Sequence, residues 1–182
     1  MGLLLRIAQV HIPAFVKKNA LQELFDSTAL AFQCKPPRIK GLSLEEGLIA
    51  YALFTKKETE KSLQQGKDLD LLKNHLYQNA YQLGQRLRKI LRITALSDAM
   101  IMGRILYRML GIDFQGTAQG EVTIHRCFFS GFYSPPICRV ISSLDQGILA
   151  GLSGGGQLFF SQRITEGGKC CKARLVPGES PL

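Results

Sequence analysis

Apolar residues in the first part of the chain recur at steps of three and four, the period of a helix with one buried face. Leu21, Leu24, Phe25, Leu30 and Ala31 predict a helix that runs to about Phe32, where "CKPPRIKG" ends it. In "SLEEGLIAYALFTKKETEKSL" the buried stripe is Leu44, Leu48, Ile49, Ala52 and Leu53. Ser43 and Glu46 stand before it at the spacing of a capping box. The most regular seam is Leu72, Leu76, Ala80, Leu83, Leu87 and Ile90, on a helix from about Asp68 to Arg92. A fourth helix starts at the N-cap candidate Ser97, carries Met100, Ile101, Ile105 and Met109, and stops at Gly111.

The pattern changes at "GIDFQGTAQGEVT", where glycines punctuate the chain. "EVTIHRCFF" alternates as a strand does. "PPICRVISSLDQGILAGL" predicts a helix near 136–150, with Pro136 in its first turn and Gly151 near its end. "QLFFSQRI", "TEGGK" and "CCKARLV" predict a hairpin with strands near 157–164 and 170–176, turning on Gly167-Gly168. The architecture is therefore α+β, an N-terminal helical layer packed with a small mixed or antiparallel sheet from the C-terminal part. No repeat or linker divides it, so residues 1–176 form one domain, 1–112 mainly helical and 113–176 strand, helix and hairpin. Residues 177–182 form a frayed tail.

Composition narrows the function classes. Of 182 residues 46% are apolar and 20% charged, which excludes wholesale disorder. No apolar run reaches the ~18 residues of a membrane span. "MGLLLRIAQV" lacks the features of a signal peptide, so a cytoplasmic location is the expectation. Five cysteines, an odd and scattered set, argue for free thiols over a disulfide framework. The net charge of +9 raises the question of a polyanionic partner. Residues 1–112 hold 17 Lys and Arg against 9 Asp and Glu, whereas 113–182 hold 6 against 5. The surplus lies on helices and no nucleic-acid recognition motif accompanies it, so a solvated helix face is expected and nucleic acid is not.

Candidate chemistry concentrates in "HRCFFSGFYSPPICRV" and in the helix and hairpin C-terminal to it. His125 and Cys127, two apart on a strand, project to one side. Cys138 sits near a helix start, where the dipole and free N–H groups favour a thiolate. Asp145 lies two turns on, near the same stripe. A two-residue Gly-Gly turn pairs Ile164 with Cys171 and puts Cys171 on the core face. Three readings stay open. Cys127, Cys138, Cys171 and His125 could hold a zinc-like divalent metal, although no CxxC pair is present. Cys138 could be a nucleophile with His125 as base and Asp145 as orienting group or second acid/base. The same residues could be small, inert core side chains. The glycine run of "GLSGGGQLFF" is a helix-to-strand turn and not a phosphate loop, since it lacks the Gly-Lys-Ser/Thr ending.

Cys127, Cys138, Asp145, Arg163, Gly168 and Cys171 fall in order on a pattern that resembles the C-terminal half of the L-2-amino-thiazoline-4-carboxylic acid hydrolase family. The pattern has a cysteine-bearing strand, a helix with Cys and Asp, an "F-x-R" strand and a "G-x-x-C" strand, over about residues 120–176. It is also similar to the 4-vinyl reductase domain, whose glycine-rich helix end is like Gly147 to Leu152. The hydrolase resemblance implies ring-opening hydrolysis of a thiazoline C–N bond in a small polar carboxylate. Cys138 or a metal-bound water would attack, His125 or Asp145 would move protons, and Arg163 would hold the carboxylate. The alternative is a non-catalytic small-molecule or metal-binding sensor of 4-vinyl-reductase type. A third class uses the basic helices to dock a partner. The pocket lining discriminates the first two: charged groups converging on Cys138 favour the enzyme, an apolar chamber the sensor.

Overall fold

The computed structural model describes residues 5, 6, 9, 12–176 and 178. Leu5, Arg6 and Gln9 are helical, and four long helices follow: α1 (Ala14–Ala31), α2 (Leu44–Gln64), α3 (Leu69–Leu91) and α4 (Leu96–Met109). Strands β1 (Ile112–Gly116) and β2 (Glu121–Cys127) come next, then helices α5 (Pro135–Ile141) and α6 (Ser143–Ser153). Strands β3 (Gln157–Gln162) and β4 (Cys171–Val176) complete one antiparallel sheet of order β1-β2-β4-β3. The fold is α+β, as the pattern predicts. The tail from residue 177 lies, Gly178 apart, outside the described residues.

Helix ends follow local chemistry. Ser43 accepts from the Glu46 amide while the Glu46 carboxylate accepts from the Ser43 amide, so the capping box forms. Asp68 caps α3 through the amides of Asp70 and Leu71. The fourth helix opens early, with Ala95 at the N-cap, and Ser97 caps nothing. The predicted 136–150 helix is two: α5 begins at Pro135, the chain bends at Ser142, and α6 continues past Gly151 to end at Gly154 in a left-handed conformation, φ +91°.

Gly151 has another task. A methyl group on it would stand 2.3 Å from the Tyr81 carbonyl oxygen, and one on Gly147 2.2 Å from that of Tyr77. Across the contact, Gly84 leaves room for the Ile148 carbonyl. The spacing Gly147-x-x-x-Gly151 thus lets α6 lie backbone to backbone on α3, the most extensive element contact in the protein. Arg88 of α3 fastens the end of α6 by donating to the Leu152 carbonyl at 3.1 Å.

One stripe is rotated from its predicted position, and another is cut short at its end. On α2 the buried face is Leu48, Tyr51, Ala52, Thr55, Thr59 and Ser62, while Ile49 and Leu53 are exposed. Thr55 and Thr59 are buried with their hydroxyls satisfied, each donating to a carbonyl one turn back, at 2.8 and 2.7 Å. On α3 the seam holds at Leu72, Leu76 and Ala80, but Ile90 is exposed. The Gly-Gly hairpin turn is absent. The chain leaves β3 through a bulge, makes a 3-10 turn at Ile164–Glu166 and passes Gly167 at φ +88° before β4 begins. Ile164 and Cys171 still meet, because the Ile164 amide points at the Cys171 sulfur at 3.4 Å instead of pairing in the ladder.

Candidate functional site

A cavity of about 230 Å³ lies between the helical layer and the inner face of the sheet. Its walls are chiefly apolar, with Leu21 and Leu24 of α1, Leu83 and Leu87 of α3, Leu106 of α4 and Leu110 just after it, and Ile124 and Phe160 of the sheet. Lys17 and the exposed Glu23 also line it, so it reaches solvent at α1.

One corner is polar. Cys127, Cys138, Asp145, Arg163 and Cys171 all line the cavity there, near enough to feel one another's charge. Asp145 is deep in the protein, and the part of its surface left uncovered faces the cavity. Burial pushes its carboxyl up from 3.8 to about 6, against the pull of the Tyr107 hydroxyl, which donates to Oδ1 at 2.6 Å, and of the Arg163 charge. Tyr107 is itself buried, stacked on Phe114, and its phenol is pushed well up by burial and by the Asp145 charge.

The thiols are not activated. Burial pushes Cys127 up to about 12. It also raises Cys138 and Cys171 above the ordinary thiol value. For Cys138 the sequence led to the opposite expectation. Its amide already donates to the Ser134 carbonyl at the helix start, and the residue lines the cavity. There desolvation outweighs the nearby Thr165 hydroxyl and Arg163 charge. Thr165 Oγ1 lies beside it without a hydrogen bond of normal geometry.

His125 is not part of this group. Asp113 pairs with Arg126 but Phe114 with Ile124, so β2 carries an extra residue at His125. That bulge shifts the alternation, leaving His125 and Arg126 exposed and turning Cys127 inward. Among the described residues, no three or more His, Cys, Asp and Glu side chains are grouped so as to hold a metal ion. The sequence reading missed Tyr107. Its signal was available, since Ala99, Gly103 and Tyr107 share one face of α4 and Tyr107 is the polar exception there.

No family model matches the chain, and no curated protein does. Among solved structures, the crystal structure of a trafficking protein particle complex subunit 3 from Naegleria fowleri, covalently bound to palmitic acid, matches with a TM-score of 0.52. The match covers 76% of this chain and 99% of that one, at 16% identity. The shared feature is the fold. It corrects the resemblance to the thiazoline-carboxylate hydrolases and to the 4-vinyl reductase domain, and with it the hydrolase function. The likeness takes in three quarters of the chain, including helices that the short cysteine, glycine and aromatic motifs never covered. Those motifs mark a strand, a helix and a hairpin; chemistry does not follow from them. Among the described residues no helix is long and apolar enough to cross a membrane.

Proposed function

We propose that the protein is a non-catalytic subunit of a trafficking-type assembly, working in the cytoplasm, that holds a long acyl or alkyl chain in the cavity between its helices and its sheet. The observation that carries this is the cavity itself, about 230 Å³ with leucines of five helices in its wall. An apolar cavity of roughly 150 Å³ already stays dry and takes up a benzene-sized ligand, so this one is large enough to favour an apolar guest over water. The fold it shares with a protein whose structure contains covalently bound palmitic acid supports the same reading. Thiols raised by burial and a histidine outside the cavity supply no nucleophile with its base. The assembly part rests on the same likeness and on large apolar side chains left exposed on the helical layer, Phe15, Leu30, Leu53, Leu71 and Ile90.

The test is a fluorescence titration with the methyl ester of cis-parinaric acid, a long polyene chain without charge. Saturable binding at one site is expected, competed by unlabelled saturated chains. Cys127→Phe puts a ring into the cavity from β2 and should abolish binding while far-ultraviolet circular dichroism is unchanged. Absence of saturable binding to the natural protein removes the reading.

A further inference from the structure

The polar corner contains a group that the chain does not satisfy. Arg163 Nη1 is buried with no hydrogen-bond partner. The guanidinium lies on the face of Phe160, 4.0 Å from the ring centre, and its nearest carboxylate oxygen is that of Glu166, 4.0 Å from Nε. Glu166 is itself held by Arg139 Nε at 2.7 Å on the outer side. A guanidinium keeps its charge at any ordinary pH and offers five N–H donors. Leaving one of them buried and unmet costs the full desolvation of that group, and native structures seldom leave such a group without a reason. Arg163 lines the cavity, and a turn of its guanidinium toward the lumen brings the unmet N–H to an acceptor carried by a ligand.

We propose that Arg163 is the head-group anchor of the cavity, and that the ligand is a free long-chain carboxylate whose acid group bonds to the Arg163 guanidinium while its chain lies among the leucines. This rests on the cavity holding an apolar chain, as proposed above, and names the chemistry of the end that chain presents. A carboxylate suits the planar fork of a guanidinium, which an ester or alcohol meets with a weaker, uncharged acceptor. The free acid also fits the thiols, since a chain attached through a thioester would have no carboxylate left for Arg163. Asp145 opposes the anchor, because its carboxylate shares the corner with the incoming acid.

The experiment compares cis-parinaric acid with its methyl ester at about pH 8. The natural protein should bind the acid about tenfold to a hundredfold more tightly than the ester, the range of a charge-assisted hydrogen bond. Arg163→Met should remove that preference and keep ester binding, which also shows that the variant is folded. Arg163→Lys should retain part of the preference, and Asp145→Asn should tighten the acid alone. Equal binding of acid and ester to the natural protein overturns the anchor and leaves the cavity reading intact. Binding of neither probe overturns the cavity reading as well. The anchor also falls if incubation with a long-chain acyl-CoA leaves a hydroxylamine-labile acyl group on Cys127, Cys138 or Cys171.

Discussion

Replacing Asp145 by asparagine removes a charge that burial disfavours and keeps an oxygen to accept from Tyr107. In the unfolded chain this carboxyl ionises near 3.8, and in the folded protein near about 6. The folded state therefore holds the proton more tightly. The group's contribution to stability is fully present below the lower value and is lost as the pH rises through the upper one. At 1.36 kcal/mol per pH unit, the interval between 3.8 and about 6 corresponds to about 3 kcal/mol lost by neutral pH. Asp145→Asn should recover up to that amount at about pH 8, a rise of about 6–12 °C in Tm for a chain of this size. Near pH ~4, where the folded carboxyl is protonated and the unfolded one only about half ionised, the difference should fall below about 1 kcal/mol. Urea unfolding of both proteins at a series of pH values reads it directly. A stability difference that does not change between pH ~4 and pH ~8, or a variant less stable at the higher pH, refutes the claim that Asp145 is ionised at a cost in the folded protein.

Three further outcomes concern the packing and the corner. Gly147→Ala drives a methyl group toward the Tyr77 carbonyl, 2.2 Å away, so α6 must move off α3; a loss of about 1–3 kcal/mol in urea unfolding is expected, and a neutral result would mean the helices are not in backbone contact. Alkylation at pH ~7.5 should label Cys127, Cys138 and Cys171 slowly until the protein is denatured, and fast labelling of Cys138 would contradict its burial. Tyr107→Phe deletes the hydrogen bond that favours the charged form of Asp145, so the carboxyl titration followed by carbon NMR should move upward from about 6, and a downward move would contradict the bond.

The helices were legible where sequence signals were local. Ser43 with Glu46, Asp68 and the Leu72-Leu76-Ala80 seam each report their own neighbourhood, and the structure keeps them. What depended on distant partners was not legible. Thr55 looks like a solvent-facing residue until its hydroxyl meets that of Tyr133, and Gly151 looks like a helix stop until α3 is placed against it. Cys127, Cys138, Asp145, Arg163 and Cys171 were picked out from the sequence and do share one corner. His125 was picked out with them because strand alternation assumes no bulge, and one extra residue in β2 put it outside. The sign of the Cys138 shift was also hidden, since a helix start argues for a thiolate while the cavity that desolvates it is made by several other elements.

The most direct measurement is the affinity for saturated unbranched carboxylates from about eight to about sixteen carbons, by displacement of the polyene probe. Each methylene buried in the leucine-lined wall contributes about 0.8 kcal/mol, so every two carbons should tighten binding about tenfold until the cavity is full. A steep rise that then levels off is the expected result. Affinities that do not depend on chain length would contradict an acyl-chain site.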